Sequence, residues 1–219
     1  NKKEATPGRK YNMDINFLIQ AIVAMLVITT PFSPDKIILF NAIVEREGLS
    51  RTGSALKVAL ITFGILAGAA LIGRELLQLL GIDQNAFSVV GGIVIAGMGF
   101  EMLYQGTPSK TQGGKIDQEE TQEEGGLIIP LSIPLIAGPG AIATTITIST
   151  AQDGFFTMLA AVIGAVLVGV LAFVSYEWIG GVMTRLSDTA TMLLTRIGGL
   201  LLATIGFQML LGGLKNFFS

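Results

Sequence analysis

The segment from Val90 to Gly106, VGGIVIAGMGFEMLYQG, returns from Ile197 to Gly213 as IGGLLLATIGFQMLLGG, at a constant offset of 107 residues. The identities fall at Gly91/Gly198, Gly92/Gly199, Ala96/Ala203, Gly99/Gly206, Phe100/Phe207, Met102/Met209, Leu103/Leu210 and Gly106/Gly213. With their apolar flanks, both copies are long enough to cross a bilayer. A chain that carries one membrane-type helix in each half is read as a duplication. If each half holds an odd number of spans, the second half sits upside down relative to the first.

The solvent follows from composition. A chain that is 51% hydrophobic and 14% charged, with a mean hydropathy of +0.66, has too few charges to cover a water-facing surface, whereas lipid asks for few. There is no cysteine and no histidine, so disulfides, thiolate nucleophiles, Cys/His metal sites and Ser-His-Asp triads are excluded. GxxxxGK[ST] does not occur, which excludes ATP-driven transport by a P-loop within this chain. No metal, cofactor or nucleic-acid partner is expected.

Six apolar segments stand out: Ile15 to Val44, Ala55 to Leu80, Ala86 to Tyr104, Leu127 to Thr150, Phe155 to Ile179 and Met192 to Leu214. Three plus three gives an all-α integral membrane fold of two inverted three-helix repeats. Residues 1–14 read as a polar lead-in, 15–104 as the first repeat, 105–126 as a flexible acidic linker and 127–219 as the second repeat. The linker carboxylates Glu119, Glu120, Glu123 and Glu124 read as solvated charge. Lys and Arg in the loops favour a cytoplasmic linker with both termini outside, although the basic lead-in opposes that bias.

The first and fourth segments are interrupted at matching places. The first carries Thr29-Thr30-Pro31-Phe32-Ser33-Pro34-Asp35-Lys36 midway, and the fourth carries Ala137-Gly138-Pro139-Gly140-Ala141. Proline removes a backbone donor and glycine tolerates broken geometry, so each helix should stop and restart inside the membrane. Ser33-Pro34 and Gly138-Pro139 both read as an N-cap followed by proline at the first helical position. Restarted helices present free N–H groups and partial positive charge, which suit a carboxylate. The bland reading is a pair of packing kinks, but corresponding breaks in two repeats point instead to a transporter's binding site.

The candidate substrate-binding residues are therefore Thr30, Pro31, Phe32 and Ser33 at the first break, Gly138, Pro139, Gly140 and Ala141 at the second, and Thr144 just beyond it. Threonine hydroxyls there either meet a polar ligand or bond their own preceding turn. Asp35 is the coupling candidate, since a charge at membrane depth is functional by default. It reads equally as a first-turn carboxylate complementing the helix dipole, with Lys36 snorkelling or pairing nearby. Gly64-x-x-x-Gly68, Gly92-x-x-x-Ala96 and Gly199-x-x-x-Ala203 read as faces for close helix packing.

The run AGPGAIATT at Ala137 to Thr145, the preceding IPLSIP at Ile129 to Pro134 and GGIVIAGMGFEML at Gly91 to Leu103 resemble the MarC/SnatA family of six-span inner-membrane proteins. Thr30-Pro31-Phe32-Ser33 matches that family's first-half motif only in part, with Pro34 shifted relative to the family's later proline. The resemblance implies a multi-pass protein of a prokaryotic cell membrane that moves small neutral amino acids such as glycine and alanine, coupled to a cation gradient. The expected partners are a small amino acid, the coupling cation and the lipid bilayer, with a homo-oligomer left open. A passive channel or efflux protein for another small solute is the alternative. An intramembrane enzyme ranks below both, because Asp35 has no partner carboxylate or histidine in an obvious second motif.

Overall fold

The computed structural model describes residues 15–30, 33–104, 137–151, 155–179 and 187–218. The lead-in, the linker and residues 127–136, which open the fourth segment, lie outside the described residues. Every element found among the described residues is helical.

Helix α1, Ile15–Thr29, is apolar throughout. At about 1.5 Å per residue it is too short for a hydrocarbon core of about 30 Å, so it stops partway. Helix α2, Pro34–Glu47, restarts the chain after Ser33 and ends at Gly48, whose φ of 63° lets Gly48 N and Leu49 N bond back to Glu45 O and Val44 O. Helix α3, Arg51–Leu79, and helix α4, Gln84–Tyr104, are joined by a turn at Gly81, φ 67°. The second half gives α5, Pro139–Thr150, α6, Phe155–Val174 with a π-helical continuation Ser175–Ile179, and α7, Asp188–Phe217. Helices α3, α4, α6 with its continuation, and α7 are each long and apolar enough to span a membrane.

Helices α4 and α7, which carry the echoed sequence, share the most extensive helix–helix contact. A Cβ at Gly92 would lie 2.6 Å from Gly206 O, and one at Gly199 would lie 2.8 Å from Gly99 O. A Cβ at Gly99 would overlap Ala203 N, and one at Gly206 would overlap Ala96 N. Residues early in one helix therefore meet residues late in the other, so the pair is antiparallel. Exchanging the two copies of the echo turns each of these contacts into its mate. Gly91 against Met209 and Gly198 against Met102 obey the same exchange, giving the pair a local pseudo-two-fold axis. Glycine is required here because backbone packs directly on backbone.

Around that pair, α3 packs on α6, while α5 is wedged among α1, α3, α4 and α6. The polarity is inside-out relative to a water-soluble fold. Leu60, Ile72, Val90, Ile93, Leu200 and Leu211 are exposed, whereas Thr29, Thr62, Thr144, Thr145 and Ser149 are buried. Large apolar groups outside and small polar groups inside mark a bundle solvated by lipid.

Two of the three small-residue motifs behave as read from sequence, since Gly92/Ala96 and Gly199/Ala203 form the α4–α7 crossing. Gly64 and Gly68 do not. A Cβ at either would meet nothing within 4 Å, so that face of α3 is turned away from the bundle. The reason is rotational: α3 buries the stripe Val58, Thr62, Leu66, Ala70, Gly73 and Leu77 instead.

Candidate functional site

The first break is built by the end of α1. Thr30 N still reaches Leu26 O at 3.0 Å, but Thr30 itself adopts φ 38°, a left-handed conformation that a threonine rarely takes. Ser33 N bonds Thr30 O at 3.1 Å, and Ser33 sits buried as N-cap of α2 with Pro34 at the first helical position. As a carbonyl of the last turn, Thr29 O has no partner within α1. It is met by Lys36, whose Nζ donates to Thr29 O at 2.7 Å and to Thr30 Oγ1 at 2.8 Å. Lys36 is only 8% exposed, so its ammonium is held inside the bundle rather than extended to an interface. Pro31 and Phe32 lie outside the described residues, and so does the Asp35 side chain.

At the second proline the described residues show only the helix start, which resembles that of α2. Gly138 is N-cap of α5 with extended backbone, Pro139 is the first helical residue, and Ile142 N bonds Gly138 O at 3.1 Å. Ala137, Gly138, Gly140 and Ala141 are buried, while Pro139 is exposed. A Cβ on Gly140 would meet Ile95 Cγ1 at 3.1 Å, Met98 Sδ at 3.2 Å and Ile28 Cγ2 at 3.9 Å. Ile28 belongs to the last turn of α1. The fold therefore brings the first turn of α5 against the last turn of α1, and Ile28, Ala137 and Ala141 share one buried cluster with Met25, Leu66 and Leu202.

The threonines past the second break divide. Thr145 Oγ1 bonds its own preceding turn at Ala141 O, 2.8 Å, as threonine in membrane helices commonly does. Thr147 Oγ1 pairs with Ser88 Oγ on α4 at 3.3 Å. Thr144 Oγ1 has no hydrogen-bond partner among the described residues although the side chain is 4% exposed. Thr62 Oγ1 on α3, fully buried, is in the same condition. A buried hydroxyl left unpaired costs about 1–3 kcal/mol, and such groups are found where something else completes them.

Two further polar features lie away from the breaks. The π-helical turn at the end of α6 frees main-chain carbonyls, which Arg51 takes up: Nε donates to Tyr176 O at 2.9 Å and to Glu177 O at 3.2 Å, and Nη2 to Tyr176 O at 2.7 Å. Thr52 Oγ1 donates to Glu177 Oε1 at 2.9 Å. At the far end of α5 from the break, a cavity of about 300 Å³ opens between Arg74, Glu75, Ser149, Phe155 and Met158. Among the described residues no cluster of His, Cys, Asp or Glu is arranged to hold a metal ion.

Comparison with known sequences finds relatives along almost the whole chain. The family described as MarC family integral membrane protein matches residues 15–218. The chain belongs to the MarC family.

MarC relatives are spread across bacteria and archaea. The UPF0056 membrane protein YvbG of Bacillus subtilis is 30% identical over 213 residues, covering 94% of this chain and 98% of that protein. A UPF0056 membrane protein of Pyrococcus horikoshii is 34% identical over 165 residues, covering 75% of this chain and 78% of its own. One from Aquifex aeolicus is 32% identical over 201 residues, covering 90% and 92%. No solved structure matches. This MarC chain is thus a multi-pass integral membrane protein, and the break after α1 and the start of α5 both fall within the family match. Of the residues singled out from sequence, Thr30 and Ser33 flank the first break, and Gly138, Gly140 and Ala141 lie at the start of α5 with Thr144 one turn on. Lys36 was legible as a charge inside an apolar segment, but its reach back to the end of α1 was not. Thr62 carried no sequence signal, being one hydroxyl in an unbroken apolar helix.

Proposed function

We propose that this MarC chain is a secondary transporter of small neutral amino acids of the glycine and alanine class, coupled to a cation gradient and acting in the prokaryotic cell membrane. In this reading it is not an enzyme. Its six spans form two inverted three-helix repeats related by the axis that passes between α4 and α7, and the substrate binds where the two broken helices face each other. The observation that carries the reading is the meeting of the breaks: the proline-started first turn of α5, with Gly140, lies against the last turn of α1 inside an apolar bundle.

The chemistry of that place suits a small zwitterion. Two helix N-termini, α2 after Ser33 and α5 after Gly138, offer N–H groups and partial positive charge to a carboxylate. Gly140 and Ala141 carry little or no side chain, so a small ligand that displaces the flexible ends of Ile95 and Met98 would reach the α5 backbone. The Thr144 hydroxyl is a donor and acceptor awaiting a polar group. Asp35, in the first turn of α2, is retained as the candidate to exchange a coupling proton.

Counterflow in proteoliposomes tests the proposal. Vesicles containing the purified protein and loaded with unlabelled glycine or alanine are expected to accumulate the labelled amino acid transiently, and an imposed cation gradient is expected to sustain accumulation. Flux that simply equilibrates and ignores every gradient would replace this reading with a passive channel. Absence of counterflow for all small amino acids would remove the substrate class.

A further inference from the structure

Lys36 is the most deeply placed cation among the described residues, and its partners are unusual. Two oxygens that it meets, the Thr29 carbonyl and the Thr30 hydroxyl, belong to the C-terminal end of α1, whereas Lys36 itself is on α2. The C-terminal end of a helix carries partial negative charge, and carbonyl and hydroxyl oxygens at a broken helix are the groups that coordinate sodium in transporters of this general design. Thr30 holds the left-handed φ of 38° that turns its own side chain and the preceding carbonyl toward one point. A strained backbone of this kind costs about 1–3 kcal/mol and persists where the surroundings enforce it. The ammonium of Lys36 sits at that point, 2.7 Å and 2.8 Å from the two oxygens.

We propose that Lys36 is a tethered cation: its ammonium fills a monovalent-cation seat made by Thr29 O and Thr30 Oγ1, and so takes the place of a bound sodium ion at the first break. The inference rests on the transport reading for its functional consequence, though not for the seat itself. Because the seat is on α1 and its occupant on α2, Lys36 also fastens the two half-helices across the break. Any movement that separates them must first release the ammonium. Snorkelling does not account for the arrangement, since a snorkelling lysine extends its head to the interface and Lys36 buries it.

Three consequences are measurable. Exchange by the unaltered protein should be the same in sodium, potassium and choline media, because the seat is already filled. Lys36→Met keeps the length of the side chain and removes the charge, leaving the Thr29 carbonyl and Thr30 hydroxyl facing each other empty. Its exchange in choline medium should fall about tenfold, the scale set by leaving buried acceptors unpaired. Sodium or methylammonium should then restore it. Independently of transport, either cation should raise the melting temperature of purified Lys36→Met while leaving that of the unaltered protein unchanged. This second measurement stands even if the protein exchanges no amino acid at all, an outcome that would remove the proposed function but leave the seat to be judged by melting. Sodium-dependent exchange by the unaltered protein, wild-type exchange by Lys36→Met in choline, or a Lys36→Met protein whose melting responds to neither cation would each overturn the tethered-cation assignment.

Discussion

Gly99→Val is expected to destabilise the protein severely, while Gly97→Val, two residues away on the same helix, is expected to leave it nearly unchanged. A Cβ at Gly99 would overlap Ala203 N and approach Gly199 O at 2.7 Å, both backbone atoms of α7. Backbone cannot swing aside as the end of a side chain can, so the helices must separate along their most extensive contact. Overpacking costs about 1–3 kcal/mol when side chains can adjust, and more is expected where they cannot. At Gly97 a Cβ meets nothing within 4 Å and the position faces outward, so the change should stay within about 0.5 kcal/mol. The pseudo-two-fold relation adds a stricter demand: Gly206→Val should match Gly99→Val, because each glycine meets the equivalent groups of the other helix. Unfolding of the purified variants by heat or denaturant checks all three. Equal stability of Gly97→Val and Gly99→Val would refute the packing.

Gly140→Leu is expected to abolish transport at a smaller cost in stability than Gly99→Val, because its neighbours are side chains rather than backbone. The neighbours a Cβ would meet there are side-chain atoms, Ile95 Cγ1 at 3.1 Å and Met98 Sδ at 3.2 Å, and both can shift by a few tenths of an ångström. The rest of the added side chain crowds the contact between the first turn of α5 and the end of α1, where the ligand is proposed to approach the backbone. If about 1–3 kcal/mol of crowding falls on the bound state, exchange drops between about fivefold and a hundredfold. Gly140→Ala, adding one methyl, should sit between the two. Melting temperature and counterflow measured on the same preparations separate a blocked site from a damaged fold. Normal counterflow by Gly140→Leu would place the binding site elsewhere.

Much of this architecture could be read from residues before any coordinates. The echo located α4 and α7, because its identities preserve the small residues that allow backbone contact, and a contact that depends on the absence of side chains is written directly in sequence. The two helix starts were equally plain, since Pro34 and Pro139 each follow an N-cap residue and each begins a helix, while the stretch before Ala137 lies outside the described residues. Features that depend on helix rotation were not legible. Gly64-x-x-x-Gly68 has the spacing of a packing face, yet α3 turns it outward because the Thr62, Leu66 and Ala70 stripe wins the interior. Helix ends drifted too: α3 begins at Arg51 rather than Ala55, because Arg51 is anchored on the carbonyls of Tyr176 and Glu177, a partnership 125 residues distant in the chain. That partnership depends on a π-helical turn that no local pattern announces. The role of Lys36 was hidden for a related reason. Its contact with Thr29 is set by the left-handed turn at Thr30, and a positive φ at threonine is a tertiary outcome rather than a propensity.

The central claim is that a small amino acid occupies the space beside the second break, next to the end of α1. Because the chain contains no cysteine, Thr144→Cys would carry a single thiol in place of the buried hydroxyl that lacks a partner among the described residues. Its rate of reaction with a small membrane-permeant thiol reagent, measured in proteoliposomes with and without a saturating amino acid that the protein exchanges, reads occupancy of that space directly. Glycine or alanine is expected to slow the labelling of Thr144→Cys several-fold, while a cysteine at outward-facing Gly97 is labelled at the same rate either way. Labelling of Thr144→Cys that is indifferent to an exchanged amino acid would contradict the account.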